Sequence, residues 1–424
     1  MKELNKKRVL SLFSGVGGMD LGFEGGFKVL KKSVNLNLHP EWNVHEENDW
    51  IKLAKTNFST VFANDIRPDA KHAWTNYMSK RNIGHDIYKL ESIVDLVKKH
   101  KNGEKVFPEN IDIVTGGFPC QDFSIAGNRQ GFNSKKSHDN SVIFDNQTEN
   151  RGQLYLWMKE VVGIVKPSIF IAENVKGLVS LKDSKEIIEK EFSKAANEEY
   201  IVIPGRILQA ANYGVPQSRE RIFFYGFRKK SLNKKALKEL QNLKINEKYD
   251  PYPKPTHNFS VNDKSLMSFV STKDAFIDLL EPEETNDLSQ KMYSKAKISK
   301  GQGNKEVKFN SVSPTIRSEH HGNIEFRRLK IENGGENKDE INKGLKERRL
   351  TIRECARLQT FPDDFQFILP KKDNNPSVSA SSAYKIIGNA VPCLLAYNIA
   401  KTLEEKWDIY FSNDVKEEKK YGVE

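Results

Sequence analysis

The chain has 424 residues, more than a single domain usually holds, which predicts one large domain and a smaller one. Lys and Arg number 68 against 57 Asp and Glu, and this formal net charge of +11 favours a polyanionic partner such as nucleic acid, although a surface tuned for solubility would give the same balance. The three cysteines are widely spaced, which argues against a disulfide framework and a metal site. The sequence has no signal-peptide core and no stretch near the ~20 apolar residues that span a bilayer, so we expect a cytoplasmic protein.

The first half of the chain alternates β-rich runs with segments of helical period. The predicted strands are, in order, RVLSLFS, TVFAND, IDIVTGG, SIFIAEN and RIFFYGF, and the predicted helices between them include LESIVDLVKKH and QLYLWMKEVVGIV. This alternation predicts an α/β domain over residues 1–227, with a parallel sheet and crossover helices on its faces.

A change in amino-acid composition after Gly226 marks a domain boundary. A basic stretch with alternating prolines leads into residues 228–347, which are rich in Asn, Lys, Gly and Ser and include the polar stretch ENGGENKDEINKG, predicted to be a loop. The helical pattern returns in residues 348–424, with TIRECARLQ and a long amphipathic helix in AYKIIGNAVPCLLAYNIAKTLEEKW. We expect this last segment to pack back on the first domain.

The first strand runs into a glycine-rich turn, VLSLFSGVGGMDLGFEGGF. Gly15, Gly17 and Gly18 let the backbone approach a ligand closely, and the helix that follows offers free amides. Such a turn is shared by nucleotide and S-adenosylmethionine sites, and its spacing differs from the GxGxxG of dinucleotide enzymes. A tight strand-to-helix turn without a ligand is the alternative.

Acidic residues at the ends of neighbouring strands are candidates for the rest of a cofactor site. Asp65, at the end of VFAND, is placed to accept the two hydroxyls of a ribose, and Glu47 in HEEND is the alternative. Asp86, in GHDIY, is a candidate for the adenine amino group, although a surface turn would also explain it.

The predicted strand IDIVTGG is followed directly by Phe118, Pro119 and Cys120. Most lone cysteines are packing residues, but Pro119 stiffens this loop and Gly116 and Gly117 admit a substrate beside the thiol. Open α/β sheets bind ligands at this carboxyl edge, so Cys120 is predicted to be a nucleophile.

Two further motifs end at the same edge. Glu173 follows the apolar run IFIA, where an acid is costly to bury unless it has a partner or a task. In YGVPQSRERIFFYGF, Gln217, Arg219 and Arg221 alternate on one face, which suits a clamp on phosphate or carbonyl oxygens; a surface ladder of salt bridges is the alternative.

In this order, the Pro-Cys pair, the Glu-Asn-Val triplet and the Gln-x-Arg-x-Arg motif resemble the cytosine-5 DNA methyltransferase family. RRLTIRECARLQTFPDDF is similar to its ninth motif, and YKIIGNAVP to its tenth. The resemblance implies a Rossmann-like S-adenosylmethionine-dependent methyltransferase fold with a smaller target-recognition domain. The segment between Phe27 and Thr60 and the loop from Ser124 to Arg151 are longer than in the family.

The resemblance also implies roles for individual residues. Around S-adenosylmethionine it places Phe13, the Gly15 to Gly18 loop, Asp65, Pro119, Leu154 and Asn389. In the reaction, Cys120 adds to carbon 6 of cytosine, Glu173 bonds the ring nitrogen and the exocyclic amine, Arg221 holds the carbonyl oxygen, and Arg219 orients the loop or a phosphate.

The target base must be rotated out of the duplex to reach these groups. The residues expected to contact DNA are Gln121 and Ser124 in the vacated space, Gln217, and Thr315 and Arg317 in SPTIRSEHHGNIEFRR. Further candidates for bases or phosphates are His320, His321, Arg327 and Arg328, and also Arg129, Lys135 and Lys136 in the long loop, unless that loop is only solvated.

The sequence therefore predicts a site-specific DNA cytosine-5 methyltransferase of a prokaryotic restriction-modification system. Duplex DNA is the expected substrate, a cognate endonuclease a further partner, and a monomer the expected state. A methyltransferase of transfer RNA on the same fold and a non-catalytic DNA-binding regulator are the alternatives; the long recognition region disfavours the first, and the intact Cys120, Glu173 and Arg221 set disfavours the second.

Overall fold

A seven-stranded sheet forms the centre of the protein in a computed structural model that describes residues 6–119, 153–180, 183–258, 265–298, 303–318, 324–372 and 377–412. Its strand order is β6-β5-β1-β7-β8-β10-β9. The strands are β1 (Lys7–Leu12), β5 (Phe58–Asp65), β6 (Tyr88–Leu90), β7 (Ile113–Gly117), β8 (Ile169–Val175), β9 (Tyr200–Gln209) and β10 (Glu220–Arg228). All five strands predicted from the sequence are present, and the α/β prediction is confirmed.

The sheet is parallel except at β10, which runs antiparallel to both β8 and β9. A parallel neighbour needs a crossover of a dozen or more residues, usually a helix. Only ten residues, 210–219, connect β9 to β10, so the chain turns back on itself there. The prediction of a wholly parallel sheet missed this because β9, YIVIPGRILQ, was not recognised as a strand.

Helices cover both faces of the sheet. Successive strand residues alternate between two apolar clusters: Val9 and Ile113 face one, Leu10 and Val114 the other. The first cluster contains α1 (Gly18–Glu24) and α2 (Pro68–Met78), and the second contains α3 (Ile93–Lys101), α4 (Leu154–Val165), α5 (Ser184–Ser193) and the short turn α6 (Ala195–Glu198). This doubly wound arrangement brings the strand ends of β1, β5, β7 and β8 to one edge.

The segment after Phe27 forms a small sheet of its own. Its strands are β2 (Lys28–Leu30), β3 (Asn43–Glu47) and β4 (Trp50–Leu53), in the order β2-β4-β3. The sheet is bonded to residues that follow position 228: Asn35 Nδ2 donates to Thr256 O at 3.2 Å, and Trp50 Nε1 donates to Asp278 Oδ2 at 3.0 Å. The insertion therefore braces the central region of the chain.

Short elements joined by irregular chain make up the described part of residues 228–347. They are α7 (Lys234–Leu240), β11 (His257–Asn258), β12 (Met267–Ser268), α8 (Thr272–Ala275), α9 (Leu288–Lys291), β13 (Phe326–Arg328) and α10 (Lys338–Asn342). Strand β13 pairs with β14 (Arg348–Arg349), so this region is bonded to the start of the last segment.

The last segment packs on the first helix. It contains α11 (Ile352–Leu358), α12 (Ala380–Asn389) and α13 (Cys393–Phe411); α12 and α13 are separate helices, where the sequence predicted one, because Pro392 is the N-cap of α13. A Cβ on Gly22 of α1 would lie 2.4 Å from Ala396 Cβ, so α1 and α13 are in close contact there. The stretch from Ala380 to Phe411 is apolar and long enough to cross a bilayer, but 83% of its most apolar window is buried in the protein, as in a core helix.

Candidate active site

The carboxyl ends of β1, β5, β7 and β8 bring most of the predicted site residues to one edge of the sheet. The parallel register pairs Leu12 with Gly116 and Gly117 with Glu173. Cys120, Gln121 and Ser124 lie outside the described residues, as do Arg129, Lys135, Lys136, His320 and His321. Pro119 is described, and it places the start of the loop that carries Cys120 at this edge.

The glycine turn after β1 divides into a ligand-facing part and a packing part. Among the described residues, a Cβ on Gly15 would meet only Asp65 Oδ2, at 4.0 Å, so this part of the chain leaves the space beside Gly15 open. A Cβ on Gly17 would lie 2.5 Å from Trp74 Cδ1, and one on Gly18 would lie 2.2 Å from Val391 O. Gly17 and Gly18 therefore allow close packing, whereas Gly15 leaves room for a ligand.

Asp65 is bonded to the glycine turn. Its Oδ2 accepts from the Gly15 amide at 3.0 Å, its Oδ1 accepts from the Arg67 amide at 3.0 Å, and burial raises its pKa. The alternative, Glu47, lies on β3 of the small sheet, where it is exposed and pairs with Lys28 at 2.7 Å. The structure therefore favours Asp65 over Glu47 as the acid beside Gly15.

Asp86 lies just before β6, the strand next to β5 at one side of the sheet. It is exposed and lies in a short 3-10 turn, His85–Ile87, before the amino end of β6. The register of β6 pairs Tyr88 with Ala63 and Leu90 with Asp65, so Asp86 lies two residues before the residue that pairs with Ala63. The bond of Asp86 to the adenine amino group stays a prediction.

The other predicted cofactor residues surround the turn. Phe13 follows β1 with φ 52°, and Leu154 is buried at the start of α4 in the same apolar cluster as Leu12 and Phe118. Asn389 is exposed at the end of α12, two residues before the Val391 carbonyl that touches Gly18.

Glu173 and Arg221 form a buried ion pair at the centre of the edge. Arg221 Nε lies 3.0 Å from Glu173 Oε1, and both side chains are largely shielded from solvent. Burial raises the pKa of Glu173, although the charges of Arg221 and Arg219 lower it in part. A Cβ on Gly117 would lie 2.8 Å from Glu173 Oε2, so glycine at position 117 leaves room for the Glu173 carboxyl group.

Asn174 is a site residue that the sequence reasoning did not single out. Its Nδ2 donates to Phe118 O at 3.1 Å, and both residues are buried. This bond fixes the chain two residues before Cys120 against the strand that carries Glu173. The Glu-Asn-Val triplet was the available signal, since an amide directly after a buried strand acid usually has a backbone partner.

Gln217 and Arg219 hold protein segments together. The Gln217 amide is fully buried; it donates to Leu358 O at 3.0 Å and accepts from the Ile316 amide at 3.0 Å. The Arg219 guanidinium, 1% exposed, donates to Ile316 O at 3.2 Å and to Gly388 O at 2.8 Å. The predicted DNA contact of Gln217 is wrong in this arrangement, because both amide atoms are used inside the protein.

Residues 313–318, which we call the recognition segment, lie against this motif. Thr315 Oγ1 donates to Ser218 O at 2.5 Å, and the Ser218 amide donates to Ser313 O at 2.8 Å. Arg317 is half-buried, 3.5 Å from Glu325. Thr315 and Arg317 are therefore placed beside the catalytic edge.

Arg327 and Arg328 are not available to DNA. Three buried arginines and three carboxylates form one network, composed of Arg327, Arg328, Arg348, Glu281, Glu340 and Glu354. The predicted DNA contacts of Arg327 and Arg328 are wrong, since their charges are neutralised inside the protein, where they join β13 and β14 to α11.

Glu354, at the centre of this network, is expected to be essential for stability. Burial opposes its ionisation, but Arg348 and Arg327 outweigh that cost and lower its pKa to about 2. Glu354→Gln leaves buried arginines without their counter-ion, and we expect it to lower the free energy of unfolding at pH 7 by about 3–5 kcal/mol in urea denaturation. The difference from wild type should shrink as pH falls from the ordinary range of a glutamate towards 2, because the wild-type carboxylate then protonates.

The matched control is Glu47→Gln, which removes one partner of an exposed ion pair. It is expected to leave the denaturation midpoint unchanged. Equal stability of Glu354→Gln and wild type would show that the network contributes nothing to stability.

Comparison with known proteins agrees with this geometry. The family model described as C-5 cytosine-specific DNA methylase matches residues 7–405. The Type II methyltransferase M.BsuRI of Bacillus subtilis is 31% identical over 421 residues, covering 96% of this chain and 81% of that protein. M.FnuDI of Fusobacterium nucleatum is 29% identical, covering 94% of each chain.

Solved structures share the fold. The Dnmt2 methyltransferase of S. pombe superposes with a TM-score of 0.52 at 20% identity, covering 94% of this chain and 99% of that one. The methyltransferase EhMeth of Entamoeba histolytica gives a TM-score of 0.53 at 14% identity, covering 95% and 99%. The expected S-adenosylmethionine-dependent methyltransferase fold is thereby confirmed, and the chain belongs to the C-5 cytosine-specific DNA methylase family.

Proposed function

We propose that this protein methylates carbon 5 of a cytosine within a specific sequence of duplex DNA, as the modification enzyme of a restriction system. The observation that carries the proposal is the buried Glu173–Arg221 pair, 3.0 Å apart, at the sheet edge where Pro119 leads into Cys120. The Type II names of the relatives support the link to restriction, and a cognate endonuclease is the expected partner.

In the proposed mechanism Cys120 attacks carbon 6 of a cytosine rotated out of the duplex. Addition of the thiolate gives carbon 5 the electron density that the free ring lacks, which splits one difficult step into two easier ones. Arg221 holds the cytosine carbonyl oxygen. After carbon 5 has received the methyl group, its proton passes to a base such as water, and elimination of the Cys120 thiolate restores the double bond between carbons 5 and 6.

Glu173 stabilises the charge that develops during this addition. Burial raises the pKa of Glu173, which favours the protonated carboxyl group that can donate to the ring nitrogen, while the second oxygen accepts from the exocyclic amine. This pairing distinguishes cytosine from thymine, whose ring nitrogen already carries a hydrogen. Arg219, bonded to two carbonyls, acts as a positioning residue rather than contacting the base.

The open space beside Gly15 and the Asp65 carboxylate fit S-adenosylmethionine. When bound, the cofactor supplies an electrophilic methyl group. Gly15 would admit its amino acid part, Asp65 would accept from its ribose hydroxyls, and Phe13, Pro119, Leu154 and Asn389 would form the surrounding wall.

The choice of Asp65 over Glu47 predicts opposite results for two substitutions. Asp65→Asn is expected to weaken S-adenosylmethionine binding roughly ten- to hundredfold, measured by calorimetry, because a hydrogen bond to a charged group contributes about 1.5–3 kcal/mol. Glu47→Gln should leave the affinity unchanged, since Glu47 is on the outlying sheet. The reverse pattern would assign the ribose to Glu47.

We further propose that the chain acts as a monomer with three parts. Residues 1–227 form the catalytic and cofactor-binding domain, 228–347 the target-recognition domain, and 348–424 a segment that returns to the catalytic domain. The contact of Gly22 with Ala396 supports the return of the last segment to the catalytic domain, and the pairing of β13 with β14 joins that segment to the target-recognition domain. The work of such an enzyme on chromosomal DNA is cytoplasmic.

Bisulfite sequencing of plasmid from cells that express the protein tests the function. The expected result is complete conversion resistance at cytosines within one short sequence, and normal conversion elsewhere. Random or absent methylation would overturn the proposal. Tritium transfer to duplex DNA and to transfer RNA, run side by side, checks that DNA is the substrate.

A further inference from the structure

Four residues, 388–391, separate the recognition segment from the cofactor turn; we call them the connecting segment. At one end, a Cβ on Gly388 would lie 2.4 Å from Arg317 O and 2.7 Å from Ser318 N. At the other end, a Cβ on Gly18 would lie 2.2 Å from Val391 O. Backbone atoms are therefore the nearest described contacts on both sides.

Buried hydrogen bonds hold the connecting segment at both ends. Arg219 donates to Gly388 O at 2.8 Å and to Ile316 O at 3.2 Å, so one guanidinium joins the connecting segment to the recognition segment. Gln359, fully buried, donates from Nε2 to Ile387 O at 2.9 Å, and the Cys393 amide donates to Gln359 O at 3.2 Å. These bonds fix where α12 ends and α13 begins.

We propose that Gly388 and Arg219 are positioning residues that couple the binding of DNA to the binding of cofactor through the connecting segment. Close-packed backbone transmits a displacement because it has no void in which to absorb it. When DNA displaces or immobilises the recognition segment, it therefore displaces or immobilises Val391, which packs against Gly18. Gly18 lies three residues after Gly15 in the cofactor turn. The coupling is reciprocal, so bound cofactor strengthens DNA binding by the same factor.

This inference rests on the proposed function, and Gly388→Ala tests it. Gly388 lies in the last turn of α12, where alanine is favourable for the backbone, so the added methyl acts only through its clash with Arg317 and Ser318. The matched control is Gly163→Ala in α4, where the new Cβ would meet Ala196 N at an ordinary 3.6 Å.

The measurement is the Kd of S-adenosylhomocysteine by calorimetry, without DNA and with a duplex that carries the methylated sequence. For wild type and Gly163→Ala we expect the duplex to tighten binding by about tenfold, within the usual range of coupling between two sites. Gly388→Ala is expected to reduce that factor to about two or less. An unchanged factor in Gly388→Ala, or no effect of duplex in the wild type, would overturn the inference.

A second variant covers the case in which Gly388→Ala fails to fold. Arg219→Lys keeps the charge but cannot bridge Ile316 O and Gly388 O with two arms, so it should lose the coupling as well. Failure of the proposed function would instead appear earlier, as absence of methylation by wild-type protein in the plasmid assay.

Discussion

Cys120→Ser is expected to lower kcat/KM for methyl transfer to duplex DNA by about 10⁴- to 10⁶-fold, the usual loss when a covalent nucleophile is removed. A serine hydroxyl does not ionise near neutral pH, so it cannot add to carbon 6 as a thiolate does. Asn174 holds Phe118 O at 3.1 Å, which fixes the start of the Cys120 loop whichever residue occupies position 120. The variant should therefore fold normally and fail in chemistry.

The controls are the two other cysteines. Cys355 and Cys393 are buried free thiols, and burial raises the pKa of each well above the ordinary value, so neither is a competing nucleophile. Cys355→Ala and Cys393→Ala should keep their activity per folded molecule. Full-rate methylation by Cys120→Ser, or a product methylated on the exocyclic nitrogen, would refute covalent attack by Cys120.

Trapping gives an independent measurement. A duplex with 5-fluorocytosine at the target position cannot lose a proton from carbon 5, so the adduct persists. Wild-type protein should form a complex with it that survives denaturation, whereas Cys120→Ser should not. A stable complex with the serine variant would place the covalent bond on another residue.

Local patterns were sufficient to predict five of the seven strands of the central sheet and the edge at which the site lies. An apolar run that ends in a glycine turn or an acid needs no distant information, and Gly15, Asp65 and Glu173 are therefore found at the edge where they were expected. Strand β6 was not predicted, because a strand of three residues gives no clear alternation in the sequence.

Other predictions were wrong for a different reason: the hydrogen-bond and ion-pair partners of these residues lie far away in the sequence. Gln217 belongs to a motif that would suit a clamp on phosphate, but the partners of its amide are Leu358 and Ile316, more than 90 positions away. An exposed arginine and a buried one look alike in a sequence until their carboxylate or carbonyl partners are known, and Arg327 and Arg328 are the same case.

Glu173→Gln is expected to reduce kcat/KM by roughly 10²- to 10⁴-fold, the usual contribution of a positioned acid or a charge-stabilising group. Glutamine keeps the shape of the side chain but has no proton to give to the ring nitrogen. Folding should be retained, and the 5-fluorocytosine adduct should form more slowly rather than not at all. A loss below about tenfold would show that the ring nitrogen needs no acid from the protein.

The pH dependence separates a proton donor from a structural carboxylate. Burial raises the pKa of Glu173, so wild-type kcat/KM should fall as pH rises through that raised value, when the carboxyl group loses its proton. Arg221 lowers this pKa from 3.0 Å away; Arg221→Met removes the opposing charge, so the alkaline limb should move to higher pH while the maximal rate falls. Glu173→Gln should lack that limb. If the limb keeps its position in all three proteins, Glu173 does not donate the proton, and the charge on the ring must be stabilised by Arg221 alone.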